Sequence, residues 1–366
     1  MPSEQGRELP TLALIGAGLF VRSQYIPRLR ELAHLISLTC VWSRTEEAAK
    51  SILPLIKDFA PNAVAKWGSE GLKEIFQDTS IHGVAVVVAA QAQVEITLQA
   101  LGAGKHVLQE KPASSNVSEA LKALSVYASI KGSNAIGPMW AVAENYRFEP
   151  GLIEAARLVK EEIGEMMNVQ VIAEAPMNSA NPYFSTAWRQ AFYGGFTMDM
   201  GVHYIAALRM VAGCDINKLA ALSRHIDKTL PPPDNISVLF ELKNGCNGVL
   251  IISMSASSRK MIWRVVGSEG TVQVERGIQD GYHGYLVTFY PSGKSERSSF
   301  YPFSGVQEEL TVFAKDIANI SFKGMQASEA DVRSSPEEGA RDVAVIEAIL
   351  KSSFDNGAWV QVDCIP

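Results

Sequence analysis

Three residues carry the chemistry this sequence can be read to hold. Lys111 stands at the end of an apolar run in "VLQEKPASS", directly after Glu110 and before a proline. Asp199 and His203 are four residues apart in "GGFTMDMGVHYIAAL", so on a helix they share one face about one turn apart. A group that takes the proton of a hydroxyl while hydride leaves its carbon works best with a pKa near the operating pH. Histidine meets that condition, and so does a lysine whose charge is disfavoured by burial. Plainer readings stand beside these. Lys111 fits a surface turn, and His203 fits a core histidine tied down by Asp199. The other histidines (His34, His82, His106, His225 and His283) are scattered, which argues against zinc or any other metal.

Hydride chemistry needs a cofactor, and the first apolar run ends where one could bind. "LALIGAG" closes on Gly16 and Gly18, with Leu19 and Phe20 continuing the candidate cofactor loop. Gly16 would allow the tight turn. Gly18 would let the backbone approach a pyrophosphate at the following helix N-terminus. The third glycine position of the dinucleotide fingerprint holds Val21, which predicts looser packing of helix on strand. At the end of the next strand candidate, "CVWSRT" offers Ser43, Arg44 and Thr45 where an NAD-specific domain carries an acid. An arginine and two hydroxyls can bind a 2′-phosphate that a carboxylate would repel, so NADP(H) is favoured over NAD(H). Ser43 or Thr45 could equally cap the helix that begins "TEEAAK".

The elements that must position these residues alternate regularly at first. "LISLTCVWS", "GVAVVVAA" and "KHVLQE" read as strands, separated by helices at "LFVRSQYIPRLREL", "TEEAAKSILPLIKDF", "VEITLQALGAG" and "SNVSEALKALSVYASI". That pattern predicts a Rossmann-type, doubly wound α/β domain with a parallel sheet over residues 1–143. Beyond it, "GLIEAARLVKEE" and the segment around "GGFTMDMGVHYIAALRMVAG" are helical. Then strands dominate from "LAALSRHI" to "YLVTFYP", with turn signals in "KNGCN", "GSEG" and "PSGK". Residues 144–366 are therefore expected to form an α+β domain with a large, mostly antiparallel open sheet. The C-terminal helix "SPEEGARDVAVIEAILKSSF" is a candidate to pack back near the first domain. An open sheet face needs a cover, which predicts a homodimer or homotetramer through the C-terminal sheet.

Composition narrows the partners. The chain has 366 residues, 47% hydrophobic and 20% charged, with a net charge of -6 and no basic block. Nothing there calls for nucleic acid or a membrane surface, and the expected partner is a small-molecule substrate. Four dispersed cysteines suit a reducing compartment. The polar start "MPSEQGRELP" has neither signal-peptide nor transit-peptide character, and the cytoplasm is the expected location.

The segments "LIGAGLF", "ALGAGKHVLQEKPAS", "AENYRF", "WRQAFYGGFTMDMGVH" and "EEGARDVAVIEAILKSS" together resemble the glucose–fructose oxidoreductase / inositol dehydrogenase (Gfo/Idh/MocA) family, in order and over almost the whole chain. Within it, the sequence is similar to a plant and fungal branch that uses NADPH. The resemblance implies that Lys111, Asp199 and His203 occupy catalytic positions. Lys111 would bond the reacting oxygen, His203 would be the general acid/base, and Asp199 would position substrate or polarise the pair. It implies Glu110 beside the cofactor ribose and a Lys111–Pro112 bond that is often cis. Trp188 and Arg189 would lie near the nicotinamide, and Tyr146 and Arg147 close to the substrate. "AAQAQVE" departs from relatives that carry a Pro-Asn-like turn, yet leaves Gln91 and Gln93 in a loop at the mouth of the site. The activity so implied is NADP(H)-dependent hydride transfer on a sugar, polyol or related small molecule. Two alternatives stay open. One is a non-enzymatic NADP-binding sensor. The other is a reductase of an imine, tetrapyrrole or dihydrodiol, for which Phe184, Phe192, Tyr193, Phe196, Met198 and Met200 would supply an apolar lining.

Overall fold

A computed structural model describes residues 8–132, 137–192 and 194–366. The polar stretch 1–7 and Tyr193, both named above, lie outside the described residues. The chain divides into two compact units. The first comprises Met1–Ser114, Glu119–Ala143 and Val306–Glu338; the second comprises Ser115–Ser118, Glu144–Gly305 and Gly339–Pro366. The segment 306–338 thus belongs with the first unit, which the sequence reading ended at residue 143.

In the first unit, β1 (Thr11–Ile15), β2 (Ser37–Ser43), β3 (Val64–Trp67), β4 (Gly83–Val86), β5 (His106–Glu110) and β6 (Trp140–Ala143) form one parallel sheet in the order β3-β2-β1-β4-β5-β6. Strand order reverses at β1, the switch point where such sheets take ligands at their carboxyl ends. Both faces are covered, which is why β4 and β5 are buried at every position. Leu12 and Leu14 of β1 enter one core, while Ala13 and Ile15 enter the core on the opposite face. The first of these cores is completed by Leu310, Phe313, Ala314 and Ile317 of the Gly305–Lys323 helix, an element the sequence reading did not find. So close is this packing that a Cβ on Gly83 would stand 2.6 Å from Ile317 Cδ1.

Val21 corrects an expectation. Its side chain is fully buried, so helix and strand are not loosely packed there. Instead the chain forms a π-helical turn over Val21–Tyr25, in which Ile26 N–H donates to Val21 O. The wider turn makes room for a branched side chain where the fingerprint has glycine. The predicted helix after β2 is likewise two short helices, Glu46–Lys50 and Leu53–Ile56, the second with proline in its first turn. Strand β3 and the Gly68–Gln77 helix follow, also absent from the sequence reading.

The second unit is built on a nine-stranded sheet in the order β14-β13-β12-β11-β7-β10-β9-β8-β15. Its strands are β7 (Met166–Glu174), β8 (Ile216–Arg224), β9 (Asn235–Leu242), β10 (Asn247–Ser253), β11 (Lys260–Gly267), β12 (Gly270–Gln279), β13 (Tyr282–Pro291), β14 (Arg297–Pro302) and β15 (Val360–Gln361). Every pairing is antiparallel except β7 with β10. The three turn signals each join neighbouring strands: β9 to β10, β11 to β12 and β13 to β14. The helices Pro150–Glu162, Gly195–Ala212 and Pro336–Phe354 lie in this unit, the last apart from its first three residues. Gly195–Ala212 is buried along nearly its whole length.

Candidate functional site

Since β1, β4 and β5 are adjacent and parallel, their carboxyl ends set three segments side by side on one edge of the first sheet. These are the glycine turn, Val87–Gln91 and Glu110–Lys111. Gly16 has φ +139°, and a Cβ there would stand 2.1 Å from Val87 O, so the β1 end and the β4 end meet only because this residue has no side chain. Gly16 N–H donates to Trp42 O at 2.8 Å, closing the turn. Gly18 is different, because a Cβ there would meet no atom of the chain within 4 Å. The space in front of it suits the close approach of a phosphate backbone, so the turn fits a dinucleotide. Leu19, exposed, and Phe20, packed edge-on against Tyr25, follow directly.

At the end of β2, Ser43 is half-buried and Arg44 is exposed. Thr45 Oγ1 accepts from Ala48 N–H at 3.3 Å, so Thr45 caps the Glu46–Lys50 helix. Sequence reading passed over Arg22. Its Nε donates to Ala17 O at 3.2 Å, and its Nη2 donates to Ser51 Oγ. One guanidinium thereby links the glycine turn to the helices after β2. The signal was present in "GLFVR", a cation one turn beyond the glycines.

The Lys111 turn is held from beneath. Gln109 is fully buried, and its Nε2 donates to Pro112 O at 3.3 Å and Ala113 O at 2.9 Å. The Lys111–Pro112 bond is cis, and Lys111 is half-buried. Beside it, Glu110 Oε1 accepts from Tyr25 Oη at 2.7 Å. Burial pushes the Tyr25 hydroxyl well above the usual phenol range, with the charges of Glu110 and Glu309 acting in the same direction. Glu110 thus braces the strand end against the helix that follows the glycine turn. Gln91 and Gln93 lie in the first turn of the Ala90–Gly102 helix rather than in a loop. Gln91 is exposed, whereas Gln93 turns inward and donates to Val88 O at 3.1 Å.

In the second unit, Gly194 and Gly195 have φ of +73° and +51° and open the helix that carries Asp199 and His203. A Cβ on Gly195 would stand 2.4 Å from Pro231 Cγ. Asp199 Oδ2 accepts from Arg189 Nε at 2.7 Å, and the Arg189 guanidinium lies over the Trp188 ring, 4.1 Å from its centroid. His203 meets the Glu144 carboxylate, with Oε1 2.6 Å from Nδ1. The Tyr146 ring stacks on the imidazole, with centroids 4.6 Å apart and planes at 16°. Tyr146 is itself surrounded edge-on by Tyr204, Trp263 and Tyr285. Burial raises its phenol, which also shares a hydrogen bond with Tyr285. Arg147 is buried and donates to both oxygens of Asp342, at 2.8 and 2.6 Å. The structure therefore gives Tyr146 and Arg147 packing and ion-pair employment, where the resemblance implied substrate contact. Phe192, Phe196 and Met198 are core, while Phe184 and Met200 are half-buried. Glu144, a lone acid in "AENYRF", went unremarked in the sequence. Among the described residues, no group of three or more His, Cys, Asp or Glu side chains could hold a metal ion.

Comparison with known proteins gives matching results for both units. A family model described as "Oxidoreductase family, NAD-binding Rossmann fold" matches residues 11–132. Another, "GFO/IDH/MocA C-terminal domain", matches residues 153–273. Dehydrogenase FPY6 of Fusarium mangiferae is 30% identical over 357 residues, spanning 95% of this chain and 97% of that protein. Among solved structures, a levoglucosan dehydrogenase in complex with NADH and levoglucosan superposes with a TM-score of 0.78 at 20% identity, covering 98% of this chain and 100% of the other. KijD10, a 3-ketoreductase from Actinomadura kijaniata solved with NADP, gives 0.75 at 19% identity over 94% and 98% of the two chains.

The open position of Gly18 carries a prediction. Gly18→Val places its side chain in open space, so the thermal midpoint should stay near that of the parent while dinucleotide affinity falls at least about tenfold, a change of about 1.4 kcal/mol. Fluorescence titration alongside a melting curve measures both. Undiminished binding would remove the glycine turn from the cofactor site.

Proposed function

The chain belongs to the Gfo/Idh/MocA oxidoreductase family, and from that membership we propose an NADP(H)-dependent dehydrogenase or reductase acting on a hydroxyl or carbonyl carbon of a sugar, polyol or related small molecule. The observation that carries this reading is the edge of the first sheet, where the open glycine turn and Lys111 stand at the ends of β1 and β5 with only β4 between them.

A bound nicotinamide would supply the hydride chemistry, as acceptor from a hydroxyl-bearing carbon or donor to a carbonyl carbon. The glycine turn would hold the pyrophosphate, with Leu19, Phe20 and Gln91 around the dinucleotide and Trp188 and Arg189 toward the nicotinamide. In the oxidation direction, His203 Nε2 accepts the hydroxyl proton as the C–O bond gains double-bond character. The substrate thus gives up one hydride and one proton, and His203 later passes its proton to water. The Lys111 ammonium donates to the reacting oxygen and stabilises the negative charge that develops there. Asp199, steadied by Arg189, accepts from a substrate hydroxyl. Retention of both the lysine and the histidine favours an enzyme over a sensor.

Arg44 supports the cofactor choice. It is exposed at the end of β2, where Ser43, Arg44 and Thr45 stand in place of the acid of an NAD-specific domain, and Arg22 adds a second cation against the glycine turn. Our reading also places the protein in the cytoplasm as an oligomer. Four free cysteines suit a reducing compartment. The sheet leaves Leu222, Leu239, Val249 and Ile251 exposed on the neighbouring strands β8, β9 and β10, an apolar patch that a second copy would cover. No helix among the described residues is long and apolar enough to cross a membrane.

Titration with NADPH and NADH should show the phosphorylated cofactor binding at least about tenfold more tightly, and equal affinities would sink the argument from Arg44. NADP⁺ reduction tested across pentoses, hexoses, inositols and diols should give turnover with at least one class. In that assay Lys111→Ala is expected to lose on the order of 10²- to 10⁴-fold in kcat while still binding cofactor; a fully active variant would take the lysine out of the mechanism. Light scattering on the purified chain should return the mass of a dimer or tetramer, and a monomer at micromolar concentration would refute the covered sheet.

A further inference from the structure

We propose that Glu144 is the positioning residue of His203, fixing which ring nitrogen faces the substrate. The inference deepens the reading of His203 as the proton-transfer group and rests on it for its kinetic consequence. Three contacts immobilise the imidazole. Glu144 Oε1 lies 2.6 Å from Nδ1, a short hydrogen-bond contact between a ring nitrogen and a carboxylate oxygen. The Tyr146 ring covers one imidazole face at 4.6 Å. The third is the buried helix on which His203 is carried.

A carboxylate accepts but does not donate, so the Nδ1 beside it carries the proton. In the neutral imidazole that leaves the lone pair on Nε2, the nitrogen free to act as base. When Nε2 gains a proton, the resulting cation sits against a carboxylate already in place, with no reorganisation needed. Asp199 does not serve this purpose, because Glu144 is the carboxylate at Nδ1 and Asp199 is engaged with Arg189.

The rival explanation is structural. Glu144 Oε1 also accepts from Tyr146 N–H at 3.2 Å and so caps the short Asn145–Phe148 helix. A cap alone would have no influence on the tautomer of a histidine on another element. The two roles are therefore separable by experiment.

Nitrogen-15 NMR of histidine-labelled protein reads the tautomer directly, without substrate or cofactor, and His203→Gln assigns the resonance. The expected spectrum shows a protonated Nδ1 and an unprotonated Nε2. In Glu144→Met, the proton should move to Nε2, the form preferred in water. A wild-type spectrum already showing protonated Nε2, or one that Glu144→Met leaves unchanged, would overturn the inference. Should the methionine variant fail to fold, Glu144→Gln keeps the shape and is read by kinetics. It should lower kcat on the order of tenfold or more with KM and cofactor affinity preserved, and add nothing to the loss already caused by His203→Gln. Full activity of Glu144→Gln beside an impaired His203→Gln, or losses that simply add, would overturn the positioning role. If the tautomer behaves as expected and His203→Gln still turns over normally, the inference about the contact stands, and the failure belongs to the proton-transfer reading.

Discussion

Burying an ionisable helix is the constraint on which the second unit depends. The Gly195–Ala212 helix is enclosed nearly throughout, yet it carries Asp199, His203 and Arg209, all of them buried. Taking a charge out of water costs several kcal/mol unless a partner replaces the lost solvation. Each of the three has such a partner. Arg189 meets Asp199, Glu144 meets His203, and Arg209 donates to Asp342 and Asp215, both at 2.7 Å. Asp342 in turn receives Arg147. The short Ala187–Gln190 helix, the Asn145–Phe148 turn and the Pro336–Phe354 helix are therefore tied to one buried element by charge as well as by apolar packing.

The first unit is governed by steric fit instead. Gly16 is needed because the end of β4 comes close enough to leave no room for a methyl group, and Gly83 because a returning helix does the same. Gly18 belongs to neither case, since its side-chain position is open. Three glycines that look alike in the sequence thus serve three purposes, and only the one without a protein neighbour speaks of a ligand. Where the third fingerprint glycine is replaced by Val21, the helix widens rather than the packing loosening.

What the sequence made legible follows from how local the cause was. Buried strands read clearly as β-branched runs, and the hairpins of the second sheet were marked by their own turn residues. Strand β3 was missed because "VAKW" is short, lies at the sheet edge and offers no buried run. The Gly305–Lys323 helix escaped notice because its place in the first core is set by partners far away in the chain, such as Gly83 and Leu14. Parallel pairing of β7 with β10 has the same origin. In the candidate site, the glycine turn and the shared Asp199–His203 face were legible from spacing and Lys111 from its place at a strand end, while their catalytic roles came from the family resemblance. Glu144 and Arg22 were not, since a single acid or base carries no period and acquires meaning only from what folding sets beside it.

The Asp-x-x-x-His spacing illustrates that limit sharply. Residues four apart on a helix share a face, and the simplest chemistry joins the acid to the histidine. Here the two look to different partners, although one turn of helix separates them. Side chains on a helix lean toward its N-terminus, and Asp199 is the nearer of the two to that end, where Arg189 waits on the preceding short helix. His203 turns instead to an acid from the Asn145–Phe148 turn. In the proposed reading, two carboxylates then carry two duties. A single aspartate that both oriented the histidine and received a substrate hydroxyl would couple the two events, because a change in its charge would alter both at once. With Glu144 beside the imidazole and Asp199 bonded to a guanidinium, the proposed orientation of the base and the proposed substrate contact fall to different carboxylates.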